Sequence, residues 1–131
     1  MATVPLLADA EAGAAALATF DDIRAKRQTD YVNNFWRALA HDPALLQATW
    51  DRVQTVMAPG ALDPLVKELI YVAVSTANGC DYCVHSHTAA AKAKGMTPAQ
   101  HGELLAVIAM ASQTNALATA LSVPVDDRFK A

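Results

Sequence analysis

The feature that most constrains this chain is a helix-capping residue directly before proline, which occurs three times. The pairs are Asp42-Pro43, Asp63-Pro64 and Thr97-Pro98. A capping side chain accepts a hydrogen bond from an unpaired backbone amide in the first helical turn, and proline at the first helical position has no amide that needs a partner. Each pair therefore predicts the start of a helix.

Two glycines predict where helices end, because glycine adopts the left-handed conformation of a C-terminal cap without steric cost. Gly79 and Gly95 each follow a segment with helical character. Together these signals predict helices at about 20–41, 43–57, 64–78, 80–94 and 98–120. Breaks are allowed in the polar stretch Arg24–Asp30 and near Gln113–Asn115. The predicted fold class is all-α, a compact helical bundle at 20–121 with an N-terminal segment at 1–19 and a tail at 122–131.

The third helix has an unusually broad apolar surface, which predicts that it is buried on most sides. Its apolar residues are Leu65, Val66, Leu69, Ile70, Val72, Ala73 and Val74.

Composition narrows the functional classes. An apolar content of 53% with only 18% charged residues is high for a lone domain of 131 residues, so we expect a homo-oligomer.

The net charge of −3 does not favour nucleic-acid binding. The longest apolar run, Leu104–Ala111, is far shorter than the roughly 20 residues of a membrane span. With no basic residue before Arg24 to form a secretory signal, we expect a cytoplasmic protein. Its two cysteines are then more typical of catalysis or metal binding than of a structural disulfide.

The candidate site begins with both cysteines at the start of the fourth predicted helix. At about 100° per residue, Cys80, Cys83 and His87 lie on one helix face. Partial positive charge at a helix N-terminus favours thiolate, so we expect lowered cysteine pKa values. A Cys-x-x-Cys pair can also form a disulfide.

A carboxylate on the preceding helix completes the pattern. Glu68 has mostly apolar neighbours at helical spacing, which predicts a raised pKa and a role as a base. A turn at Gly79 would pack the two helices as a hairpin with Glu68 facing Cys80 and His87.

The arrangement Glu68, eleven residues, then Cys80-x-x-Cys83-x-x-x-His87 resembles the signature of the AhpD-like alkylhydroperoxidase group of the carboxymuconolactone decarboxylase superfamily. The resemblance implies an all-helical fold assembled as trimers or hexamers, and a peroxidase that needs no cofactor and no metal. It also implies that Cys83 attacks the peroxide, that Cys80 resolves the product as a disulfide, and that Glu68 and His87, with a water, relay protons. The reductant would be a dithiol, carried by a lipoylated or thioredoxin-like protein.

One position departs from the group. Its best-studied members have histidine just before the second cysteine, where this chain has Tyr82. A tyrosine hydroxyl can donate a hydrogen bond near the thiols, but its ordinary pKa of about 10 prevents it from acting as a base near neutral pH. Tyr82 is therefore an auxiliary candidate only.

Three alternatives stay open. Cys80, Cys83 and His87, with Glu68, are credible zinc ligands by type, although structural zinc sites usually draw ligand pairs from separate elements. The decarboxylase branch of the superfamily resembles this fold but generally lacks the cysteine pair. A dithiol can also act as a non-catalytic redox switch.

Overall fold

The computed structural model describes residues 1–130, which fold into helices and connecting segments without a strand. The helices are α1 Ala14–Arg27, α2 Asn34–Leu39, α3 Pro43–Met57, α4 Pro64–Ala77, α5 Asp81–Ala93 and α6 Pro98–Ala120, followed by a short 3-10 helix, Asp127–Phe129. The prediction of an all-α fold is confirmed. The chain divides into two compact units, the first spanning Met1–Ala58 and the second beginning at Pro59.

All three predicted N-terminal caps are present. The carboxylates of Asp42 and Asp63 accept backbone amides of the following turn at 3.0 and 2.8 Å. Thr97 and Gln100 exchange hydrogen bonds in a complete capping box. Because a cap satisfies amides that would otherwise lack a partner, these side chains fix where α3, α4 and α6 begin.

The predicted helix ends at Gly79 and Gly95 are also present, with φ angles of 66° and 92°. The predicted helix at 20–41 is instead two helices, since Gln28 takes a left-handed conformation with φ 52° and ends α1. The break falls in the stretch where the sequence allowed one. Helix α1 begins at Ala14, inside the predicted N-terminal segment 1–19, and α6 continues unbroken through Gln113–Asn115.

The first unit has an apolar core between α1, α2 and α3. Trp36 and Trp50 meet edge to face with ring centroids 5.4 Å apart, and the guanidinium of Arg27 lies over both rings. The indole nitrogen of Trp50 donates to Asp22 at 2.7 Å, so its one polar atom is satisfied. The core residues are Ala16, Phe20, Ile23, Val32, Trp36, Ala40, Leu46 and Trp50.

A partly exposed carboxylate ties the N-terminal segment to this core. Asp9 forms ion pairs with Arg24 and Arg37. Arg37 also donates to the backbone carbonyl of Leu7 at 2.8 Å. Partial burial pushes the pKa of Asp9 upward, but hydrogen bonds and charge from both guanidinium groups outweigh this effect and hold it below 3.8.

In the second unit, α4 and α5 pack as the predicted hairpin around Gly79, and α6 packs on α4. The buried face of α4 carries Glu68, Val72 and Ser75. The prediction that α4 is buried on most sides is wrong for the single chain. Val66, Ile70 and Val74 on this helix are 40 to 53% exposed. These three residues recur every fourth position and form one stripe, which neither α5 nor α6 covers.

Helix α6 also presents apolar side chains to solvent. It has no fully buried residue, and its exposed side chains include Leu105, Val107, Met110 and Leu117. Within residues 1–130, no helix combines the length and apolarity that crossing a membrane requires.

Candidate functional site

Glu68 and His87, predicted to face each other from neighbouring helices, are in direct contact. His87 Nδ1 lies 2.7 Å from Glu68 Oε2. The Glu68 side chain is only 5% exposed and that of His87 22%. Glu68 is therefore a buried carboxylate with a specific imidazole partner, as the sequence analysis predicted.

A second cation, from Lys94, completes the surroundings of this carboxylate. Lys94 Nζ donates to Glu68 Oε1 at 2.8 Å, so each carboxylate oxygen has one charged or chargeable partner. Sequence reasoning assigned Lys94 no role. A signal was available, because Lys94 follows His87 by seven residues, which is two helical turns along the same face of α5.

An aromatic ring also covers the imidazole. Tyr71 stacks on His87 with ring centroids 3.4 Å apart and an angle of 15° between the planes. Burial raises the pKa of Tyr71, and negative charge at Cys83, Cys80 and Glu68 raises it further. Tyr71 thus lies within electrostatic reach of both thiols and the carboxylate. Its position three residues after Glu68 on α4 was the available sequence signal.

The electrostatics of Glu68 correct the predicted raised pKa. Burial does push the pKa of Glu68 upward, but the hydrogen bonds and positive charge of His87 and Lys94 reverse the direction, and the net pKa lies below 4.5. Glu68 is therefore ionised near neutral pH. An ionised carboxylate only accepts hydrogen bonds, so Nδ1 of His87 carries a proton toward it and Nε2 of the neutral ring keeps a lone pair.

The two thiols are both free and both partly buried at the start of α5. Cys80 is the N-cap residue, and its sulfur accepts the backbone N–H of Cys83 at 3.3 Å. A sulfur atom thus occupies the place where an N-cap oxygen usually stands.

The expected lowering of the cysteine pKa values does not hold for Cys83. Burial raises the pKa of the Cys83 thiol to about 11, with a hydrogen bond to Cys80 and negative charge on Cys80 acting in the same direction. The positive end of α5 is already engaged by the Cys80 sulfur. Ionisation of Cys83 therefore requires help from a base.

Tyr82, the auxiliary candidate, lies on a more exposed side of α5, with 43% of its surface accessible.

The zinc alternative requires several ligands at one place. Among residues 1–130, no group of three or more His, Cys, Asp and Glu side chains is arranged to hold a metal ion.

Comparison with known proteins places this site in a family. The sequence model of the carboxymuconolactone decarboxylase family matches residues 43–126, which contain Glu68, both cysteines and His87. A crystal structure of an alkylhydroperoxidase AhpD core from Rhodospirillum rubrum is 64% identical, with a TM-score of 0.96 over all of this chain and 98% of that one.

Two curated relatives give more distant matches. An alkyl hydroperoxide reductase AhpD from Solibacter usitatus is 39% identical over 75 residues, which are 57% of this chain and 40% of that protein. An uncharacterized protein from Cupriavidus necator is 35% identical over 83 residues, which are 63% of this chain and 74% of that protein. The family match, together with the close structural neighbour, establishes that this chain belongs to the carboxymuconolactone decarboxylase family as an AhpD-like member.

Proposed function

We propose that this protein is a thiol-dependent peroxidase that reduces a hydroperoxide through a dithiol–disulfide cycle of Cys83 and Cys80. The observation that carries this proposal is the contact of buried Glu68 with His87, on the same helix, α5, that begins with two free thiols. The names of the AhpD relatives support the same reaction class.

The first step is loss of the Cys83 proton. With a pKa of about 11, the unassisted thiol would be ionised in only about one molecule in ten thousand at pH 7. His87 follows Cys83 by four residues on the same helix face, and its Nε2 has the lone pair that a proton acceptor needs. We assign His87 as the base, acting directly or through a water, and Glu68 as the group that fixes its tautomer and stabilises the imidazolium.

The redox steps then balance as follows. The Cys83 thiolate attacks one peroxide oxygen, the O–O bond breaks, and the leaving alkoxide takes the proton held by His87 to give an alcohol. Cys83 becomes a sulfenic acid. The Cys80 thiol attacks that sulfur, water leaves, and a Cys80–Cys83 disulfide forms. An external dithiol reduces the disulfide and is itself oxidised.

Several further features belong to this proposal. The reductant would be a lipoylated or thioredoxin-like protein. Because such a cycle needs a reducing compartment, we place it in the cytoplasm. The exposed stripe Val66, Ile70 and Val74 is consistent with a homo-oligomer, which we propose to be a trimer or a hexamer.

The test is peroxide consumption by the purified protein against a panel of dithiol donors, with Cys83→Ser and Cys80→Ser as matched variants. We expect many turnovers per chain with at least one donor, and mass spectrometry should find an intramolecular Cys80–Cys83 disulfide after peroxide treatment. Consumption of only one equivalent with every donor would indicate a redox switch instead. Decarboxylase activity that survives in the Cys80→Ser, Cys83→Ser double variant would overturn the proposal.

A further inference from the structure

We propose that Lys94 is a positioning residue that holds the buried Glu68 carboxylate by binding its Oε1, so that Oε2 stays directed at Nδ1 of His87. This inference rests on the proposed role of His87 as proton acceptor for Cys83, and it adds a residue that the sequence motif does not contain.

The geometry is that of one carboxylate shared by two donors. Lys94 Nζ contacts Oε1 at 2.8 Å, and His87 Nδ1 contacts Oε2 at 2.7 Å. The Lys94 side chain is 39% exposed, whereas the Glu68 side chain that it reaches is 5% exposed. Lys94 is the C-cap residue of α5 and its backbone N–H bonds to Ala90 and Ala91, which fixes the origin of the side chain.

The other titratable groups near the pair are few. From α4, Tyr71 stacks on His87, and from α5, Cys80 and Cys83 act on Tyr71. The helix α6 also packs on α4, and its titratable residues, His101 and Glu103, make no hydrogen bond or ion pair with Glu68. Lys94 is thus the one permanently cationic group bonded to the carboxylate within residues 1–130.

The consequence follows from the way the two donors share the carboxylate. A buried carboxylate oxygen is costly to leave without a partner, so each oxygen is held by the donor that it meets. With Lys94 on Oε1, Oε2 remains the acceptor for Nδ1 of His87, and Nε2 keeps its lone pair. Without Lys94, one oxygen loses its partner and the carboxylate is free to turn, so His87 is no longer held in the orientation in which it can accept the Cys83 proton.

The experiment measures the rate of Cys83 alkylation by iodoacetamide as a function of pH, with the Cys80→Ser background used for every protein so that one thiol is read. The variants are Lys94→Met, Lys94→Arg and, as a matched control on the same helix, the exposed Lys92→Met. We expect Lys94→Met to move the rising part of the profile upward by about one pH unit, a roughly tenfold loss of rate at pH 7. Lys94→Arg, which keeps the charge, should restore most of the rate, and Lys92→Met should match its parent.

If Lys94 acts through Glu68, the effect of Lys94→Met must disappear when the Glu68 carboxylate is removed, whereas a purely structural role of Lys94 would not depend on Glu68. In a Glu68→Gln background there is no carboxylate for Lys94 to hold in place, so adding Lys94→Met should have no further effect on the profile. An unmoved profile in Lys94→Met, an equal shift in Lys92→Met, or a shift that persists with Glu68→Gln would each overturn the inference. If Lys94→Met does not fold, the equally neutral Lys94→Gln carries the same test. Alkylation needs no peroxide, so failure of the peroxidase assay and failure of this inference are distinguishable.

Discussion

A carboxylate bonded to two basic side chains occurs in each of the two units, and the two carboxylates differ in what their partners can do. In the first unit, Asp9 pairs with Arg24 and Arg37. In the second, Glu68 pairs with His87 and Lys94. The pKa of each carboxyl group lies below its ordinary value, and in each case cationic partners overcome the opposing effect of burial.

The difference lies in burial and in proton chemistry. The Asp9 side chain is 44% exposed and both of its partners are guanidinium groups, which only donate hydrogen bonds, so the cluster holds chain segments together. Glu68 is 5% exposed, and one of its partners is an imidazole, which has one ring nitrogen that can donate a proton and one that can accept it. A similar count of ion pairs therefore serves structure in one unit and is suited to acid–base chemistry in the other.

The largest effect expected from this comparison is on thiol reactivity. Glu68→Gln removes the anion that orients His87, and since general-base help is worth about 10²–10⁴ in rate, Cys83 alkylation near pH 7 should slow by about a hundredfold. Asp9→Asn, the matched change in the first unit, should leave the rate within about twofold of wild type. Similar losses in both variants would mean that the second carboxylate has no special role.

A smaller effect is expected from the thiol that neighbours Cys83. Cys80→Ser removes the thiolate charge that raises the pKa of Cys83, while serine remains a good helix cap. We expect the pKa of Cys83 to fall below about 11, so that alkylation at alkaline pH begins at lower pH than in wild type. A profile that stays in place would assign the raised pKa to burial alone.

The next effect is on stability against acid. The pKa of Glu68 is lower in the folded protein than the ordinary 4.5, so its ionised form stabilises the fold above that pH, and this contribution is lost as the pH falls through the lower, folded value. Glu68→Gln should therefore be less stable than wild type at pH 7, by about 1–3 kcal/mol. The difference should shrink below pH 4.5 in urea unfolding curves. A constant difference from pH 7 to pH 3 would contradict the sign of the shift.

The smallest effect is expected at Asp9. Its ion pairs are partly exposed, and solvent screening limits such pairs to about 1 kcal/mol or less. Asp9→Asn should lower the unfolding free energy by that amount at low salt and by less in 1 M NaCl. A loss larger than that of Glu68→Gln would reverse the comparison between the two carboxylates.

Local chemistry made much of the fold predictable from sequence. The bounds predicted for α3 and α6 agree with the structure because a cap and a proline define each start. The end of α1 was harder to locate, since Gln28 takes a left-handed conformation that favours glycine. The exposed stripe on α4 was missed because an apolar pattern does not reveal which of its faces a neighbouring helix covers.

The contact between Glu68 and His87 was predictable from the sequence, but the electrostatics around it were not. Helical periodicity places Cys80, Cys83 and His87 on one helix face, and their spacing from Glu68 singled out these four residues as the candidate site. The pKa direction predicted for Glu68 was wrong because it depends on His87 and Lys94, which the hairpin brings to the carboxylate. The direction predicted for Cys83 was wrong because burial raises its pKa and Cys80 acts in the same direction. Lys94 binds Glu68 across a separation of 26 residues, and only the packed structure brings these two side chains together.

The most direct test of the account is the tautomer of His87, read from the ¹⁵N chemical shifts of its ring at a pH where the ring is neutral. We predict that the proton is on Nδ1, donated to Glu68, with Nε2 unprotonated, and that Glu68→Gln weakens this preference whereas Asp9→Asn does not. A proton on Nε2 in the wild-type protein would contradict the account, because the lone pair of His87 would then be on Nδ1, facing Glu68, and could not accept the proton of Cys83.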